Sequence, residues 1–365
     1  MDELKQARLT IDAVDKEMAS LFEKRMKAVQ AVAEYKKANG LPITDSKREA
    51  EIIERNKTLV QDPILQDYYV QYLQATMDVS KKYQTRLNSG SKVAYCGVEG
   101  AYAYLAAKKI PGYSDLVAYS SFEKAYASVV DGTCDGAILP IENSYAGDVG
   151  AVLDLSFSGN LSISQVVELE VCHALLVKKG TKIEDVKTVW SHPQALSQCD
   201  EYIKHHGFVT IEYPNTAIAS KALAESEAKD VAVIASPENA ELYGLEVLEY
   251  KINSASNNTT RFALFTRSYN KPDSSSKMGE HFVLVFTVLN EAGALAKALN
   301  IIGAHSFNMR NLRSRPMKSL MWNYYFFVEL EGNVNTADGR EMLQELKTIC
   351  DKVKLLGTYQ MSKGE

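Results

Sequence analysis

Near residue 260 the chain sets two amides, two hydroxyls and a guanidinium in a row, Asn257-Asn258-Thr259-Thr260-Arg261-Phe262, directly before an apolar run. These are hydrogen-bond donors of graded strength, suited to holding an anion and giving up a proton. Two further stretches put similar groups beside predicted strands. Leu139-Pro140-Ile141-Glu142-Asn143-Ser144 places a carboxyl, an amide and a hydroxyl after a strand and before a helix. Trp190-Ser191-His192-Pro193-Gln194 sets Ser191 at a helix N-cap, with Pro193 and Gln194 in the first turn. Alone, each reads first as a turn or a cap. All three sit where predicted strands end, which is where open sheets bind ligands.

A second group lies in the first 88 residues. On a helical wheel, Arg25 and Lys36 fall in the centre of an apolar stripe made by Ile11, Val14, Met18, Leu21, Phe22, Val29 and Val32. Either their heads snorkel outward, or they line an internal anion pocket, being roughly 16 Å apart along the axis. Asp45 or Ser46 caps a second helix begun by Arg48 and Glu49, where Glu49 also fits a capping box with Ser46. Ser80 and Gln84 share one face of a third helix.

The elements that position these groups follow from pattern. Residues 1–88 read as three helices, broken at Asn39–Ser46 and at Asp62-Pro63. Leu87–Lys92 reads as a linker. Residues 92–268 alternate short strands with helices, which predicts an α/β domain with a largely parallel sheet. A Ser-rich linker, 270–280, precedes a strand–helix–strand–strand–helix–strand order over 279–365, the ferredoxin-like α+β arrangement.

Composition narrows the classes. The 365 residues, 46% hydrophobic and 24% charged, suffice for two or three domains. A net charge of -5 with no basic tail argues against nucleic-acid binding. Five scattered cysteines without a Cys-x-x-Cys pair, and six histidines without ligand spacing, predict no disulfide framework and no metal site. No leader-like stretch and no apolar run of bilayer length is present, so a cytoplasmic, membrane-free protein is expected.

The helical segment resembles the all-helical chorismate mutase domain, with Arg8, Arg25, Lys36, Asp45, Arg48, Glu49, Ser80 and Gln84 on that family's active-site positions. The resemblance implies a pericyclic rearrangement of chorismate to prephenate. It implies arginines gripping two carboxylates, and Lys36 and Gln84 donating to the ether oxygen, with Glu49 assisting there if protonated. Arg8 corresponds to the arginine that reaches into a partner's site, so a homodimer or higher homo-oligomer is implied.

The central segment resembles prephenate dehydratase, a two-lobed fold similar to type II periplasmic binding proteins. That implies loss of CO2 and hydroxide from prephenate without any cofactor. Thr260 matches the catalytic threonine of Thr-Arg-Phe, with Glu142 or a water behind it, Asn143 and Gln194 beside it, and Ser144, Ser191, His192, Arg261 and Phe262 as substrate contacts. His192 reads equally well as a satisfied buried imidazole. The stretch Tyr95–Ala106 departs from the family's Gly-Pro-x-Gly opening, with Val98 for the proline and Ala101 and Ala103 where hydroxyls are common, so backbone N–H groups must serve there.

The last segment resembles an ACT domain that binds phenylalanine. This implies effector contacts from Gly293, Ala294 and Leu295 at a helix N-terminus, and from Asn308, Ser314 and Arg315. Arg313 stands where that family's motif has Glu. A non-catalytic sensor, or a monofunctional dehydratase with a helical dimeriser, is the alternative reading.

Overall fold

The computed structural model describes residues 3–254, 257–268, 280–317 and 323–363. The chain divides into two compact units, 1–92 with 113–115, and the remainder.

The first unit is helical: α1 (Glu3–Ala38), α2 (Ser46–Lys57) and α3 (Pro63–Ser89). The breaks are chemical. Gly40 follows α1 in a left-handed conformation (φ 64°), Asp45 caps α2 by accepting from the Arg48 N–H, and Asp62 caps α3 with Pro63 in its first turn. Since the cap is Asp45, Ser46 lies inside the helix, and the Ser46–Glu49 capping box does not form. The helix α3 continues to Ser89, so the predicted linker shrinks to Gly90-Ser91. The stripe on α1 lies open: Ile11 is 58% and Leu21 62% exposed.

In the second unit, β1 (Lys92–Cys96), α4 (Tyr102–Lys108), β2 (Asp115–Tyr119), α5 (Phe122–Val130), β3 (Gly136–Asn143), β4 (Gly147–Asp148), α6 (Gly150–Ser158) and β5 (Ser162–Glu170) build one lobe. The chain then crosses to β6 (Ala174–Val177), β7 (Thr188–Ser191), α7 (Pro193–Gln198), α8 (Asp200–His206), β8 (Val209–Glu212), α9 (Thr216–Glu225), β9 (Val231–Ala235), α10 (Glu238–Tyr243) and β10 (Glu246–Glu249), and returns as β11 (Thr259–Thr266). The C-terminal elements are β12 (Glu280–Val288), α11 (Ala294–Ala304), β13 (Asn308–Pro316), β14 (Tyr324–Glu331), α12 (Ala337–Ile349) and β15 (Cys350–Lys363), in the expected ferredoxin-like order.

Both lobe sheets are mixed, not largely parallel. The pairs β1–β3, β7–β8 and β7–β9 are parallel, but β11 runs antiparallel to both β3 and β5, and β6 antiparallel to β9 and β10. The returning strand inserts between β3 and β5 and carries the Thr-Arg-Phe run to the centre of its sheet. This is the two-lobed arrangement of the type II periplasmic binding proteins.

The C-terminal sheet is not a separate module. The strand β15 pairs antiparallel with β12 and then parallel with β5, giving the order β13-β14-β12-β15-β5-β11-β3-β1-β2 in one continuous sheet. Gly357 permits this, because a Cβ there would overlap the Ile163 carbonyl oxygen on β5. One core cluster accordingly joins Leu139, Ile163 and Phe265 with Val283, Tyr325 and Leu356.

Candidate functional site

A cleft of about 350 Å³ lies between the two lobes. Thr260 and Asn143, opposite each other on β11 and β3, form part of its wall. Every polar group of the Asn143 amide is used. Its Oδ1 accepts from the Tyr145 and Ala146 N–H groups at 3.0 and 2.7 Å, and its Nδ2 donates to Asn258 Oδ1 at 2.8 Å and to Thr260 Oγ1 at 2.9 Å. The Thr260 oxygen is thus an acceptor for Asn143, and its hydroxyl hydrogen remains to be given to a ligand.

The facing lobe contributes His192, Gln194 and Ala195 from the start of α7, and Asn215 and Thr216 from the start of α9. His192, not Ser191, is the N-cap, accepting from the Gln194 N–H at 3.2 Å. Ser191 is the last residue of β7, fully buried, and donates to the Ile234 carbonyl at 2.5 Å. It therefore ties strands together and leaves the cleft wall. No lysine or arginine is among the described cleft-lining residues. Positive potential comes instead from helix N-termini such as that of α9, capped by Asn215.

Tyr102, His173 and Gln198, which the sequence reading missed, complete the wall. The Tyr102 hydroxyl donates to the Cys172 carbonyl at 2.9 Å and lies 3.2 Å from His173 Nδ1, and His173 Nε2 is 2.8 Å from Gln198 Oε1. Burial lowers the His173 pKa despite the Gln198 hydrogen bond, which favours the neutral ring. A lone His after Cys172 carries no spacing signal that would have found it.

Glu142 is not behind Thr260. Successive strand residues face opposite sides, so Glu142 and Arg261 turn from the cleft toward the C-terminal strands. Arg261 forms a bidentate pair with Glu329 at 2.7 and 2.7 Å, and lies 3.2 Å from Glu142 and 3.6 Å from Glu168. Tyr359 also donates to Glu329 in a short hydrogen bond. Burial pushes the Glu142 carboxyl up, but Arg313 and Arg261 outweigh it and hold it below the usual range. An ionised, doubly paired carboxylate has no proton to give. Arg261 is a brace between segments, Phe262 is buried, and Ser144 pins the loop by donating to the Asn257 carbonyl and accepting from the Thr259 N–H, both at 2.9 Å. None of these three borders the cleft.

In the helical unit, Arg25 of α1 donates to Ser80 of α3 in a short hydrogen bond, and Ser80 donates to the Thr76 carbonyl at 2.7 Å. Gln84, one turn on, is buried with its Oε1 lacking a partner among the described residues. Lys36 Nζ donates to the Ile43 carbonyl at 2.6 Å. Glu49 pairs with Lys81 at 3.1 Å, a cation the sequence reading passed over, and Lys81 also meets Asp78 at 3.0 Å. Arg48 pairs with Glu51 at 3.6 Å and is exposed, as is Arg8. Asp45 spends its carboxylate on the cap.

At the C-terminal segment, Gly293 caps α11 in a left-handed conformation (φ 81°), with Ala294 and Leu295 in the first turn. Asn308 donates to Glu331 at 2.8 Å. Ser314 is exposed, while Arg313 and Arg315 on the opposite face of β13 turn toward the dehydratase-like lobe. Arg315 is held by Asp154 at 2.9 and 3.2 Å, so it does not join Ser314 in an effector site. Period two of the strand separates them.

A family model described as prephenate dehydratase matches residues 93–270, and one described as chorismate mutase type II matches residues 7–85. The chain is 31% identical over 365 residues to the bifunctional chorismate mutase/prephenate dehydratase of Enterobacter agglomerans, covering 96% of this chain and 94% of that protein. It is 33% identical over 287 residues to arogenate dehydratase 2 of Petunia hybrida, covering 75% of this chain and 72% of the relative. The solved prephenate dehydratase of Arthrobacter aurescens in complex with L-Phe is similar with a TM-score of 0.68 and 26% identity, covering 74% of this chain and 90% of that one. With the relatedness to the Enterobacter protein running along almost the whole of both chains, this chain belongs to the bifunctional chorismate mutase/prephenate dehydratase family.

Proposed function

We infer that the chain converts chorismate to prephenate in its helical unit, and prephenate to phenylpyruvate, CO2 and water in the bilobed cleft. The observation that carries the second step is the Asn143–Thr260 pair. As the ring carboxylate leaves as CO2, its bond electrons enter the ring and expel hydroxide, which takes up a proton to become water. Thr260, its oxygen already accepting from Asn143, donates to that departing oxygen. Its proton returns from solvent or a neighbouring donor in the cleft, where His192 and Gln194 stand. Helix N-termini receive the substrate's carboxylates in place of arginines.

For the first step no acid or base is needed. Arg25, Lys36 and Gln84 supply the donors that hold the compact conformer and meet charge on the ether oxygen, with Ser80 orienting Arg25. Arg8 serves the site of a second copy, whose α1 covers the exposed apolar stripe. The functional segments are 1–88, 92–268 and 279–365, the last carrying a phenylalanine site around Gly293–Leu295, Asn308 and Ser314. The relative solved with L-Phe supports that ligand. Among the described residues no helix is long and apolar enough to cross a membrane, and the free cysteines suit a reducing compartment, which supports a cytoplasmic enzyme.

The test is a coupled assay on the purified full chain. Chorismate should yield phenylpyruvate, and prephenate alone should too. Absence of either activity removes that half of the reading.

A further inference from the structure

Asp148 is the one acidic residue among the described residues lining the cleft, and, standing opposite Glu142 in the β3–β4 ladder, it turns its carboxylate to the same C-terminal side of the wall. Its Oδ1 lies 2.5 Å from Nε of Arg313, a buried residue of β13 in the C-terminal sheet. Arg313 also sets Nη2 2.6 Å from Glu142 Oε2. Its guanidinium carbon lies 5.5 Å from the centre of the Phe327 ring. Glu142 has a second cation in Arg261. Asp148 has no other ion pair among the described residues, Arg315 acting on it only at longer range.

We propose that Arg313 is a specificity-determining residue for the dehydration, cancelling the Asp148 carboxylate so that the cleft accepts a keto acid rather than an amino acid. The inference rests on the dehydratase reading above. Prephenate and arogenate differ at one group, a ketone in the first and an ammonium in the second. A bare carboxylate directly behind the wall of a cleft with no lysine or arginine among its described lining residues repels the dianion and attracts the ammonium. A paired one does neither. Burial holds the Asp148 carboxyl above its usual range even beside Arg313, so loss of its cation leaves a poorly solvated charge. The cation belongs to the C-terminal sheet, while the carboxylate belongs to β4 of the cleft. Substrate choice is therefore built across the two segments.

Steady-state kinetics with prephenate and with arogenate, on the full chain, test this. Arg313→Met should raise KM for prephenate roughly tenfold with kcat changed far less, and shift the ratio of kcat/KM values toward arogenate by at least as much. Arg313→Lys should recover part of the preference, and Asp148→Asn placed on Arg313→Met should recover it also. A merely structural Arg313 would weaken both substrates alike. That result, or no recovery in the double variant, overturns the proposal. If Arg313→Met does not fold, as judged by circular dichroism, Asp148→Asn alone decides: arogenate should lose further ground to prephenate, and an unchanged ratio overturns the proposal. A wild-type chain that fails to dehydrate prephenate strikes the underlying reading instead.

Discussion

Thr260 and Arg261 are bonded neighbours that serve opposite faces of β11, one the cleft and the other the brace to Glu329. Removing the Thr260 hydroxyl takes away the donor without opening a large cavity. Thr260→Ala should therefore lower dehydratase kcat by about 100- to 10,000-fold while mutase turnover in the same preparation stays near wild type. Near-normal dehydration of prephenate would pass the donor role to His192. At this scale the sequence was half legible. The Asn257–Phe262 run marks the site, but strand alternation lets only every second residue face it, and a bulge between Arg261 and Phe262 breaks the register with β3. Ser191 looked like a cap because Pro193 follows it. Ser191 is instead the last residue of its strand, tied to the Ile234 carbonyl, and the cap passes to His192. Tyr102, His173 and Gln198 were invisible because lobe closure, not spacing, brings them together.

The brace between β11 and β14 is an element-scale feature with its own pH signature. Burial pushes the Glu329 carboxyl up, but the Arg261 hydrogen bonds and charge outweigh it and hold its pKa below the ordinary 4.5. A folded pKa below the unfolded one gives stability that is present above pH 4.5 and lost as pH falls through the folded value. Thermal unfolding should show a midpoint that declines below about pH 5. Glu329→Gln should lower the neutral-pH stability by about 3 kcal/mol, since Arg261 stays buried with poorer partners, and should flatten that acid limb. An unaltered acid limb would assign the decline to other carboxylates. The six C-terminal elements were readable because period two and period 3.6 alternate there cleanly. The mixed sheets were not, since the insertion of β11 between β3 and β5 depends on pairings from 89 residues apart in sequence (Thr259 with Glu170) to 130 (Thr266 with Gly136).

At the scale of the whole molecule, the proposed dimer is what would cover the open stripe on α1. Arg8 and Arg25 lie roughly 25 Å apart along one straight helix, too far to grip one small ligand, so in the proposed dimer each mutase site draws one of them from each chain. Arg8→Ala and Arg25→Ala should each be nearly dead as mutases. Refolded together they should regain activity, because about half the dimers are mixed and roughly a quarter of all sites are intact. No recovery, with mixed dimers shown to form, would return Arg8 to its own chain. Phenylalanine should inhibit dehydration and raise the thermal midpoint. Gly293→Val, a branched residue at a left-handed position, should abolish both effects, and persistent inhibition would move the effector site elsewhere. Deleting the chain from residue 279 onward is a poorer test, because it strips β15 from β5. Gly357→Ala attacks that junction alone and should cost about 2 kcal/mol or more, measured by denaturant unfolding. The same junction imposes a timetable on the newborn chain. Met361 pairs with Val166, and at 5–20 residues per second a ribosome needs roughly 10–40 s to travel from one to the other. Throughout that interval β5 shows a bare edge, the surface on which strands from other chains add. The enzyme thus passes the closing seconds of its own translation as a client for whatever shields open sheets, and a copy clipped before Met361 never leaves that state.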